Sequence, residues 1–148
     1  MHSRIFQLTT KPIKESEWLT ENDDDILQTF PYSVAKPDGK RDDEIRWLLD
    51  VCPKCFIWIE DNTLDVLPNA KFDYFGGRFR ELKKKVGNLH FEEFCDEYYA
   101  RNLIELIEDK FGFHVYDDDG YVKTMDTFMR QVKVNTKLYI GGILDYHF

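Results

Sequence analysis

Apolar residues recur along this chain in two periods, and the switches between them predict its elements. Helical steps dominate from 87 to 112. There Phe91, Phe94, Cys95, Tyr98, Tyr99, Leu103, Leu106 and Ile107 fall on one broad stripe, with Glu93, Glu97, Arg101, Glu105 and Glu108 opposite. Asn88 is the expected N-cap, and Glu92 and Glu93 stand in the first turn, where the helix dipole favours negative charge. Lys110 and Gly112 supply a basic last turn and a left-handed stop. Neither proline nor internal glycine interrupts the stretch, so one long helix is expected. The stripe drifts and Ile104 falls among polar positions, which predicts packing on more than one side, with the buried face as the floor of the core.

The shorter period marks strands. Residues 3–9 form one at the start. Residues 55–60, CFIWIE, are a near-continuous apolar run and predict a central strand, with 63–67 returning after the Asp61-Asn62 turn. FHVY and YVK flank Asp117-Asp118-Asp119-Gly120, a hairpin signal. The closing run TKLYIGGILDYHF is a strand in which Gly141-Gly142 mark a bulge or a close backbone approach. Shorter helices are expected at 23–30, at 44–51 behind Asp42, at 78–86 as a basic helix ending at Gly87, and at 124–132 capped by Thr124. The loop 31–41 is too short to separate domains. Helices and hairpins mix without regular βαβ alternation. The expected fold is therefore a single α+β domain over 1–148. A mostly antiparallel sheet would carry the long central helix and shorter helices on one face, with the terminal strands as neighbours.

Composition narrows function. The 148 residues are 43% apolar, and 16% are aromatic, with 12 Phe, 8 Tyr and 3 Trp, enough for a core and for a recognition surface besides. The net charge of −8 argues against direct binding to nucleic acid and favours a protein partner with a basic surface. No run approaches a membrane span, and MHSRIFQLTT has no apolar run like a signal peptide. With three cysteines, an odd number, the expectation is reduced thiols in a cytoplasmic protein.

Candidate chemistry is sparse. Cys52-Pro53-Lys54-Cys55 reads as half a zinc site, as a redox pair, or as two small buried residues around a helix-stopping proline. No second knuckle exists, and on one helix Cys95 and His90 would point about 140° apart. A redox pair usually follows a strand and opens a helix, and here that order is reversed. Asp117–Asp119 are contiguous and no glutamate follows, so they make a turn rather than a calcium loop. Glu81-Leu82-Lys83 lies in a helical run of charges, away from the strand a nuclease site needs. Arg78, Arg80, Lys83, Lys84 and Lys85 spread around their helix as a solvated face, although the Gly76 and Gly77 amides could meet a phosphate. His2, His90, His114 and His147 show no pairing at metal spacing. No catalytic residue, cofactor or metal-ligand set is expected.

The run Phe72-Asp73-Tyr74-Phe75-Gly76-Gly77-Arg78-Phe79 resembles an aromatic-rich Gly-Gly-Arg-aromatic motif of small phage and mobile-element proteins of unknown function. The resemblance implies a bacterial or phage setting and no assigned activity. Physically, the paired glycines would turn the chain between a strand and a helix, and Arg78 would bond carbonyls or a carboxylate. The expected function is a non-enzymatic, acidic interaction protein that docks on a basic nucleic-acid-handling host protein such as a nuclease. Its partner-binding residues would be Asp23, Asp24, Asp25, Glu93, Glu97 and Glu105. The alternatives are a metal- or thiol-dependent protein using Cys52 and Cys55, and a self-associating domain whose aromatic surplus forms a homodimer face.

Overall fold

The two ends of the chain pair with each other. The computed structural model describes residues 2–29, 33–109 and 112–147. Strand β1 (His2–Thr9) lies antiparallel to β7 (Lys137–His147) in the middle of a seven-stranded sheet. Beyond β7 come β4 (Thr63–Val66) and β3 (Phe56–Glu60), and β2 (Val34–Ala35) pairs with the other half of β7. Beyond β1 come β5 (His114–Tyr116) and β6 (Val122–Thr124), and β1–β5 is the one parallel ladder among the described strands. The fold is mixed α/β with a mostly antiparallel sheet, as expected, and the terminal strands are neighbours.

Strand alternation assigns the side chains to two cores. On one side Phe6 and Leu8 meet Ile45 and Leu48 of α2 (Arg41–Val51), Ala70 of α3 (Ala70–Gly87), and Met125, Phe128 and Met129 of α6 (Met125–Gln131). On the other, Ile5 meets Leu19, Leu144, Tyr146 and Ile26 of α1 (Asp24–Thr29). Helices therefore lie on both faces, not on one as expected. Strand β7 serves both cores through a bulge. Phe6 opposes Ile143 and Leu8 opposes Ile140, so Gln7 alone faces Gly141 and Gly142. The extra residue reverses the side-chain alternation: Leu138 and Ile140 join the first core, Leu144 and Tyr146 the second. The Gln7 Oε1 accepts from Gly142 N at 2.8 Å and Leu19 N at 2.7 Å. A Cβ on Gly141 would stand 2.1 Å from that oxygen, and one on Gly142 2.1 Å from the Leu19 carbonyl. This is the close approach the glycine pair predicts.

The expected long helix does not form. The chain makes α3, a short α4 (Phe91–Phe94) and α5 (Glu97–Ile107) instead. Asn88 closes α3 rather than opening a helix, and His90 caps α4. Asp96 then restarts the chain: its carboxylate accepts from Tyr98 N and Tyr99 N at 2.9 and 3.3 Å, a local bond that replaces helical continuity. Gly112 lies past the end of α5, and Lys110 lies outside the described residues, as does Phe30 of the expected 23–30 helix. Among the described residues the longest helix is α3 at 18 residues, and it absorbs 71–75 and both glycines that were expected to turn the chain. Gly76 is buried there, where a Cβ would press to 3.3 Å from the Arg80 guanidinium. The run 55–60 is an outer strand: among the described strands β3 pairs with β4 alone, and Ile57 and Ile59 are exposed.

Candidate functional site

Two features combine chemistry with access: a helical arm, and a cavity at its root. The arm is the C-terminal half of α3 with α4 and α5. Its root is tied down by one carboxylate. Asp126, in the first turn of α6 behind the Thr124 cap, has a fully buried side chain. It accepts two bonds from the Arg78 guanidinium, one from the Tyr74 hydroxyl and one from Asp109 N, all at 2.7 Å. Arg78 comes from α3 and Asp109 follows α5, so this residue of the body holds both limbs of the arm. Arg130 adds a bond to the Ile107 carbonyl. Burial alone would raise the Asp126 carboxyl, but the bonds from Arg78, Asp109 N and Tyr74 outweigh it and hold the group below the ordinary carboxylate value. The bond to Asp126 raises Arg78, and burial, followed by the bond to Asp126, pushes the Tyr74 hydroxyl up.

Beyond the root the arm is open. Along α5, Tyr99, Asn102 and Leu103 turn toward α3, where they line a cleft with Glu81, Lys84 and Leu89. At about 100° per residue the opposite face carries Glu97, Arg101, Ile104 and Glu108. With Ala100, Glu105 and Asp109 these residues line a shallow concavity of about 610 Å³. No residue of α4 or α5 is fully buried. Phe91 is 75% exposed, Phe94 62% and Tyr98 70%, so much of the apolar stripe expected to floor the core faces solvent instead, and Ile104, outside that stripe, is 53% exposed as well. Helical periodicity was read correctly as amphipathicity, but the main core is already filled by α2, α6 and the first turns of α3.

The cavity at the root measures about 310 Å³ and is lined by Cys52, Cys55, Tyr74, Arg78, Asp109 and Met125, among others. Lys54 takes a left-handed φ of 63°, and Cys55 N bonds the Cys52 carbonyl at 3.1 Å, closing the CPKC turn. Both thiols are free and buried, whereas Cys95 is free and exposed. The neighbouring thiol, with burial, pushes Cys52 up, and the proximity of Cys52 pulls Cys55 below the ordinary thiol value. Cys55 also reaches the Ala70 carbonyl at 3.5 Å.

The six acidic candidates do not share one face. Asp23, Asp24 and Asp25 open α1 on the far side of the sheet. There Asp23 accepts from Thr20, and Asp25 from the Tyr116 hydroxyl at 2.9 Å. Burial and that carboxylate push the Tyr116 hydroxyl up to about 12. Glu93 caps α4 through His90 N and lines the α3–α5 cleft beside Lys84 and Lys85, away from the outer face of α5. Glu97 pairs with Arg101 at 2.8 Å, and it shares the outer concavity with Glu105. The Asp117–Asp119 run is a turn as expected, but Asp117 and Asp119 also bind the buried Lys123 ammonium at 2.7 and 2.8 Å. Sequence reasoning missed Asp126, whose only local signal is its first-turn position. Its side-chain partners are 48 and 52 residues away, and the Asp109 amide that also bonds it is 17 away. No family model matches the chain, and no curated protein and no solved structure matches it either.

Proposed function

We propose that this protein is a non-enzymatic, acidic interaction protein whose α4–α5 arm docks on a basic partner. The single observation that carries this reading is the solvent exposure of Phe91, Phe94, Tyr98, Ile104 and Ile107 on an arm held by a buried ion-pair network. Apolar side chains anchor a partner once water is excluded, and carboxylates around them select its charge. Glu97, Glu105, Glu108 and Asp109 surround Ile104, with Arg101 as the one cation among the described residues lining that concavity. The fitting partner presents an apolar centre flanked by Lys and Arg. In the mobile-element setting implied by the Gly-Gly-Arg-aromatic resemblance, that is a nucleic-acid-handling host protein such as a nuclease. Asp23, Asp24 and Asp25 belong to a separate acidic surface and would contribute through long-range charge.

The test is capture from a bacterial lysate by the wild type, by E97K/E105K and by I104S, at low and moderate salt, followed by titration with the purified captured protein. The reading expects one basic protein held by the wild type, released by salt and lost with both variants. Equal capture by all three proteins, or salt-insensitive binding, would reject it.

A thiol-dependent reading is favoured by one observation: Cys52 and Cys55 line the same cavity. It expects C52S/C55S to lose whatever activity the wild type has while the arm variants keep it.

A further inference from the structure

The four histidines show no metal spacing in sequence, yet the β1–β7 ladder brings two of them together. His2 and His147 are direct cross-strand partners, with ring centroids 3.8 Å apart. Asp145, two residues before His147 and opposite Arg4, stands on the same face of the sheet. Its Oδ2 lies 3.2 Å from His2 Nδ1 and 3.8 Å from His147 Nε2, and one donor atom from each of the three residues falls within 4.8 Å of the others. Donors about 2.1 Å from a tetrahedral ion are themselves about 3.4 Å apart. The two edges that share Asp145 are already close to that value.

The carboxylate is also held as metal ligands are held. Its other oxygen, Oδ1, accepts from Arg4 Nη1 at 2.7 Å. Arg4 is fixed in turn by both oxygens of Glu44, a buried residue of α2. Such an outer partner orients a ligating carboxylate and leaves one oxygen free to bind. Arg4, Glu44 and Asp145 together sum to one negative charge, which suits a cation. We infer that His2, Asp145 and His147 form a binding site for a divalent first-row transition metal of the zinc type. Two imidazoles and one carboxylate favour such an ion over calcium or magnesium, which take oxygen ligands. Three protein ligands leave a position for water, and the ion would clip the first strand to the last.

The experiment is a Zn²⁺ titration of the full chain against a chromophoric chelator, with metal content measured after gel filtration, for the wild type, H147Q, D145N and C52S/C55S. The His147 side chain is 47% exposed, so H147Q keeps the fold, and circular dichroism checks each variant. The expected result is one Zn²⁺ per chain in the wild type and in C52S/C55S, with affinity at least about tenfold weaker in H147Q and D145N. Addition of Co²⁺ should broaden the NMR signals of His2 and His147 before those of His90 and His114. A wild type that retains no Zn²⁺ would overturn the inference. So would binding that H147Q leaves intact and C52S/C55S removes.

Discussion

Helices α6 and α5 show how little amphipathicity says about burial. The seven residues of α6 bury Met125, Asp126, Phe128 and Met129. The eleven residues of α5 carry an apolar stripe and bury none completely. The difference lies in what each helix meets. Strand β6 runs directly into α6 and sets it against the sheet, where Phe6, Leu64 and Leu138 join the same core. The second helix meets the far half of α3, itself lined with Arg80, Lys83, Lys84 and Lys85, and one side of its stripe is left uncovered. A sequence pattern shows that a face exists; the number of covering elements in reach decides whether the chain itself fills it.

Phe6→Ala, in the centre of the first core, should have the largest effect. It is expected to cost about 4 kcal/mol of unfolding free energy in a denaturant titration, because a fully buried ring leaves a cavity. Asp126→Asn comes next, at about 3 kcal/mol near neutral pH, since it strips a part-buried guanidinium of its charge partner. Its pH dependence has a definite sign. The folded Asp126 carboxyl lies below its ordinary value, so its contribution is present above about pH 4 and lost as pH falls through the depressed folded value. Below about pH 4 the wild type and Asp126→Asn should therefore converge. Gly142→Ala should cost about 2 kcal/mol, because the new Cβ would collide with the Leu19 carbonyl 2.1 Å away. Tyr98→Ser on the arm should change stability by about 0.5 kcal/mol or less. The thiols sharpen the same contrast without a free-energy change: an alkylating reagent should label Cys95 in the native protein, and Cys52 and Cys55 mainly on unfolding.

Much of the sheet was readable from sequence. The first and last strands, both hairpins, the Thr124 cap and the role of Gly141-Gly142 all depend on neighbours within a few residues or on glycine geometry. The arm was misread for the opposite reason. Continuity from Gly87 to Gly112 rested on the lack of proline and internal glycine, and a single carboxylate, Asp96, was enough to break it by bonding the next turn's amides. Gly76 and Gly77 look like a turn in sequence, but α3 runs through both, with Gly76 close against Phe72 and Arg80. The Asp126 network and the His2–Asp145–His147 cluster had no local signature, because strand and helix pairing assembles them from distant segments. Charge composition pointed to acidic surfaces, yet it could not show that Glu97 and Glu105 share a concavity while Glu93 and the three early aspartates lie elsewhere.

The central claim is that the arm's apolar side chains, Phe91, Phe94, Tyr98, Ile104 and Ile107 among them, are left uncovered by the described residues of the chain. Its most direct test is the unfolding free energy of Phe91→Ser/Tyr98→Ser/Ile104→Ser, measured beside Met129→Ala. The triple variant should stay within about 1 kcal/mol of the wild type, while Met129→Ala loses about 3 kcal/mol. A triple variant that loses as much as Met129→Ala would mean that these side chains are core, and the docking surface would not exist.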